Sequence, residues 1–286
     1  MSDEHVYAAL IEGDEDGDAR WAFGTGFTDP LHGVDTAVPE SVDAAALAAC
    51  CTALGDDALI SAQRLAEWVT RAPELEEEVA LANIGLDLLG QARLLYARAG
   101  QADGTGRDED AFAYTRDPDA FRNIRLAELP CGDFAFSIVR LLVTAAWRLA
   151  LFTRLTTAAD PVLAAIAAKG AKELAYHRQY AADWAVRLGD GTEESRRRIT
   201  RALGETAPWT GELLTDDLAA PFGVEPEAVA GETLDVLRQV AEAAGLDLPE
   251  AAAHPGSGRR GEHTEHLAPL LAELQSVARA HPQGAW

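Results

Sequence analysis

Glu173 and His177 are the first residues in this sequence whose types and spacing suggest chemistry, because they stand one helical turn apart. They continue an apolar stripe that runs through Leu163, Ile166 and Gly170 to Ala181, Trp184 and Leu188. A carboxylate and an imidazole on such a face are costly unless they are paired or bound to something. Asp87 is a similar intruder, hemmed by leucines in Gly85-Leu-Asp-Leu-Leu-Gly90. Groups of this kind inside helices can hold metal. A carboxylate-bridged pair of irons takes a Glu from each of two helices and a Glu-x-x-His from each of two others. Here Asp87-Leu-Leu-Gly90 lacks the imidazole, and the residue three beyond Glu173 is Tyr176. No Asp, Glu or His occurs between Asp133 and Asp160, where the level positions are Thr144 and Ala145. With Asp56 added, the set is too small for two irons. It reads as a vestigial metal cluster (Asp56, Asp87, Glu173, His177), tied together or to Arg64, Arg93 or Lys172 as an ion-pair network that fixes register. The rival reading gives those four residues one metal and makes the chain a free-standing metal-binding protein or metalloenzyme.

A second group lies in Gly258-Arg-Arg-Gly-Glu-His-Thr-Glu-His-Leu267. His263 and His266 could share a zinc, but they lack the His-Glu-x-x-His spacing of a catalytic zinc helix. Helix-start and interface contacts are the plainer expectation. Arg259 and Arg260 are a rare basic spot, expected with His263 and His266 to meet an acidic partner or a phosphate.

The elements that must position these residues are helices. Ala- and Leu-rich segments with helical periodicity predict core helices over about 42–70, 73–99, 134–159 and 161–188. Pro73 and Pro161 suit first helical positions, Asp133 and Asp160 suit N-caps, and Gly100 and Gly189 suit left-handed C-terminal caps. Glu74, Glu76, Glu77 and Glu78 crowd the positive end of the second helix. Two short joints make antiparallel hairpins, and the long stretch between them, with a short element over about 112–129, is a crossover. That connectivity defines an all-α, ferritin-like four-helix bundle. Further helices are expected over about 193–203, 225–244 and 262–280. Residues 41–286 are read as a single helical domain, and the Gly- and Asp-rich residues 1–40 as an extended or partly disordered acidic arm. Folding the first hairpin about residues 72 and 73 brings Asp87 level with Asp56 and Asp57. Folding the second brings Glu173 and His177 level with residues 142–146.

The chain of 286 residues carries a formal net charge of −23, which disfavours nucleic acid and anionic membrane as partners. Its start lacks the pattern of a secretory signal. No run of ~18 uncharged apolar residues is expected to span a bilayer, since the best stretch, 138–155, is cut by Arg140, Arg148 and Arg154. Three cysteines, Cys50, Cys51 and Cys131, suit buried thiols in a reduced cytoplasm.

Gln63-Arg-Leu-Ala-Glu-Trp68, Ala72-Pro-Glu-Leu75 and the long string Ala80-Leu-Ala-Asn-Ile-Gly-Leu-Asp-Leu-Leu-Gly-Gln-Ala-Arg93 resemble the C subunits of phenylacetyl-CoA epoxidases. So do Ala150-Leu-Phe-Thr-Arg-Leu155, Lys172-Glu173 with Tyr176-His177, Thr210-Gly-Glu-Leu213 and His263-Thr-Glu-His-Leu267. The resemblance covers roughly residues 53–286. It implies a cytoplasmic, metal-free subunit with no catalytic residue and no cofactor of its own. Its expected partners are the catalytic A subunit, itself ferritin-like and holder of a di-iron centre, and the remaining subunits of the complex. That complex epoxidises the ring of phenylacetyl-CoA with oxygen and electrons from NADPH. Self-association is a further expectation for the chain alone.

Overall fold

The computed structural model describes Leu31, residues 33–282 and Gly284. The acidic arm expected over residues 1–40 therefore lies, for residues 1–30 and 32, outside the described residues. From Val34 onward the chain forms one compact unit. Among the described residues all regular structure is helical. The core helices are α1 (Ala44–Ala66), α2 (Leu75–Ala102), α4 (Phe134–Leu155) and α5 (Pro161–Gly189), and α3 (Glu109–Tyr114) lies in the crossover. After them come α6 (Glu193–Leu214), α7 (Pro226–Ala243), α8 (Leu267–Leu274) and α9 (Ser276–Ala280). Helix α1 packs on α2, α4 packs on α5, and α2 meets α5 to join the two hairpins. Helices α6 and α7 cover α4 from another side. The fold is the expected all-α, ferritin-like bundle with one long crossover and added C-terminal helices.

Helix α4 is buried all round except at Phe134, Thr144, Thr153 and Arg154. That is the state of a helix hydrophobic on every side. Asp133 and Asp160 cap as expected, accepting from Phe136 N and Leu163 N at 3.0 and 2.7 Å. By length and mean hydropathy α1 and α4 are apolar enough to cross a membrane, although α4 carries the three arginines that interrupt its apolar run. Both are instead largely covered by the rest of the protein, α4 to 89% over its most apolar window.

Several boundaries differ from expectation. Helix α2 starts at Leu75 with Glu74 as its cap residue, not at Pro73. Glu74 is extended at φ −139° and ψ 161°, so the helix cannot begin before it, and the turn also uses Thr70 at φ 67°. Gly100 lies inside α2 and Gly189 ends α5, neither with positive φ. Both mark close approaches: a Cβ on Gly100 would strike the Arg107 backbone, and one on Gly189 would sit 2.6 Å from the Ala244 carbonyl oxygen. Helix α6 runs past the expected end at 203 to Leu214 despite Pro208, because Thr206, Thr210, Glu212 and Leu213 are buried. The last expected helix begins only at Leu267, because 258–266 forms a turn anchored on the crossover.

Candidate functional site

Asp56 and Asp57, adjacent on α1, are both buried; both bond to the crossover, and Asp57 also borders the bundle centre near Arg148. Asp56 accepts from the Tyr96 hydroxyl at 2.7 Å, from the Arg122 backbone N–H at 2.8 Å and from both terminal nitrogens of Arg116. Asp57 accepts from the Ile124 backbone N–H at 2.8 Å and from Arg259 Nη1 and Nη2 at 2.9 and 2.8 Å. Burial pushes the Asp57 carboxyl up, while Arg259, Arg148 and the Ile124 amide oppose that rise. The two carboxylates thus clamp an irregular buried stretch of backbone, which must have its polar groups satisfied. Other side chains complete the clamp. Arg64 Nε and Nη2 donate to the Glu128 carbonyl at 3.1 and 2.6 Å, and Arg140 donates to that of Leu129. Glu212 accepts from the Arg125 N–H at 3.1 Å.

The polar groups left at the bundle centre are few. His177, fully buried, places Nε2 3.0 Å from Asp87 Oδ2, so the expected tie between them is present. Glu173 pairs with Lys169, not Lys172, and accepts from Gln91 Nε2 at 2.9 Å. Arg93 goes to Glu109, and Arg64 to Glu67, so neither joins the cluster. The side chain that sequence reasoning misses is Arg148 on α4. It donates from Nε to Gln91 Oε1 at 3.0 Å and from Nη2 to the Leu54 carbonyl at 3.0 Å, and Nη1 lies 3.9 Å from Asp57 Oδ2. Burial lowers its pKa to about 10, with Asp57 holding it up. A signal for it exists in the sequence: Arg140 and Arg148 interrupt an otherwise apolar helix, and a buried guanidinium must have partners.

This set does not fit a two-iron centre. Asp56 is drawn away and saturated, α4 contributes a cation where a ligand would stand, and Gln91 is a neutral amide hydrogen-bonded on both sides. Among the described residues no group of three or more His, Cys, Asp or Glu side chains is placed to hold a metal ion.

The Arg259–His266 group is also inward-looking. Arg259 bridges Asp57 and Asp216, 2.8 and 2.7 Å away, and donates to the Arg122 carbonyl. It is therefore no surface contact for a phosphate or partner. His263 binds Glu128 Oε1 through Nδ1 at 2.7 Å and the Phe121 carbonyl through Nε2 at 2.9 Å. With both nitrogens on acceptors it has no lone pair for zinc. Burial disfavours its charge, but the hydrogen bond and charge of Glu128 outweigh this and raise the imidazole above 6.5. His266 precedes α8, its backbone N–H 3.3 Å from Thr264 Oγ1. Arg260 alone of the four is an exposed cation, loosely paired with Glu262.

A sequence profile describing phenylacetic acid catabolic proteins matches residues 33–286. The chain belongs to that family. It is also 44% identical over 240 residues to the C subunit of the 1,2-phenylacetyl-CoA epoxidase of Escherichia coli (strain K12), covering 82% of this chain and 96% of that one. The resemblance drawn from the α2 string therefore holds over most of the chain.

Proposed function

We propose that this chain is a non-catalytic structural component of a ring-1,2-phenylacetyl-CoA epoxidase in aerobic phenylacetate catabolism. In this reading it pairs with a di-iron catalytic A subunit and supports it. Oxygen and NADPH serve the complex elsewhere, and this chain carries no cofactor. The observation that carries the proposal is the fate of the donor set: the acidic side chains of the bundle are spent on Arg116, Arg259, Lys169, Gln91, His177 and crossover amides.

Exposed apolar side chains support this reading. Leu75, Val79 and Leu86 on α2 are 70%, 51% and 64% exposed, with Leu89 beside them and Tyr176 of α5 54% exposed. Between Glu78 and Arg93 the only charged residue is Asp87, which pairs with His177. A face this apolar on a chain of net charge −23 marks a contact surface. Two copies so acidic repel each other, so the face suits the catalytic partner better than a second copy. The buried free thiols suit a reduced cytoplasm, where we place the complex.

Elemental analysis of the purified chain tests the non-catalytic part. Iron and zinc should be far below one per chain. Stoichiometric metal that is lost on His177→Ala would overturn the reading in favour of a metal-binding protein.

A further inference from the structure

At the centre of the bundle lies a small cavity with about 30 Å³ open to water-sized guests, bordered by Asp57, Ser61, Arg140, Thr144, Arg148 and His177. Two of these residues carry a fully buried polar atom with no protein partner, Arg148 Nη1 and His177 Nδ1. Orphaned polar atoms of this kind are rare in folded proteins and call for a guest. A third polar group on the same cavity is Asp57, whose Oδ2 stands 3.9 Å from Arg148 Nη1. That gap is too long for a direct hydrogen bond and suits a bridge.

The three groups specify the guest. Arg148 Nη1 can only donate. Asp57 can only accept. His177 turns Nε2 toward the Asp87 carboxylate, so Nε2 carries a proton, and in the neutral ring Nδ1 presents a lone pair. The guest must therefore accept one hydrogen bond and donate two. An anion offers no donor and would meet the Asp57 charge. A metal cation would meet Arg148 and Arg140 and would have to displace Arg148's approach to Asp57. Water meets every requirement, and the space accommodates about two molecules at the ~10–15 Å³ each requires.

We propose that this cavity is a structural water site, in which water accepts from Arg148 Nη1 and donates to His177 Nδ1 and Asp57. The site joins α1, α4 and α5. Through Asp87 and Gln91 on α2, it closes the polar network across all four core helices. The network that a metal would close in a di-iron bundle is closed here by a fixed guanidinium and water.

High-resolution crystallography of the intact chain, with a parallel bromide soak, is the test, joined to nitrogen-15 NMR of the imidazoles. The expected result is water density within hydrogen-bond distance of both Arg148 Nη1 and His177 Nδ1, no bromide anomalous peak in the cavity, and a neutral Nε2–H tautomer for His177. A dry cavity, a bromide or metal peak there, or a His177 protonated at Nδ1 would overturn the proposal.

Discussion

Replacing Arg259 with methionine leaves Asp57 and Asp216 facing each other in a buried site without their shared cation. Removing one partner of such a buried network costs about 3–5 kcal/mol. Arg260 is exposed, and its replacement by methionine should stay within about 0.5 kcal/mol. Urea unfolding of the two variants checks the contrast, and equal small effects would show that Arg259 is not the fixed bridge described. His263 gives a pH test. Its folded pKa is raised, so the stabilisation it brings is complete below the unfolded value and is lost as pH rises through the folded one. The stability gap between the wild-type chain and His263→Gln should be widest near about pH 5.5 and narrow toward about pH 9. A gap that widens with pH would contradict the charged pair with Glu128. These residues also show where a sequence is silent. Two adjacent arginines in a polar segment look like surface charge, because no pattern in the chain reveals that Asp57 lies 202 positions away and is reached by the turn.

The joint between α5 and α7 depends on the absence of a side chain at Gly189. Gly189→Ala would place Cβ 2.6 Å from the Ala244 oxygen, a backbone atom that cannot swing aside. Overpacking of this kind costs about 1–3 kcal/mol. Gly204, in α6, has nothing within 4 Å of a built Cβ. Gly204→Ala should instead stabilise by roughly 0.5–1 kcal/mol, the ordinary helix gain. Thermal unfolding of both variants reads the two signs, and a neutral Gly189→Ala would remove the close approach. The helices themselves are legible in the sequence because capping aspartates, prolines and 3.6-residue periodicity act locally. The pairing of the first hairpin is legible, but its register is not: Gly55 stands against Tyr96, and Gly85 against Ala62 and Leu65, a few residues beyond a fold about residues 72 and 73. What periodicity does not show is which face of α1 the crossover covers. Asp56 looks central because nothing local says that a backbone amide 66 residues later needs it.

At the scale of the molecule, the bundle is organised about its own arginines, and α2 with Tyr176 carries most of the exposed large apolar side chains among the described residues. Leu86 is exposed and makes no demand on the core. Leu86→Glu should therefore leave thermal unfolding nearly unchanged while weakening association with the proposed catalytic partner by at least about tenfold. The most direct measurement is co-purification of the tagged chain with the catalytic A subunit of a phenylacetyl-CoA epoxidase, run for wild type and Leu86→Glu at physiological salt. A stoichiometric complex is expected for the wild-type chain, and its loss for the variant. Failure of the folded wild-type chain to retain the A subunit would contradict the role proposed for it.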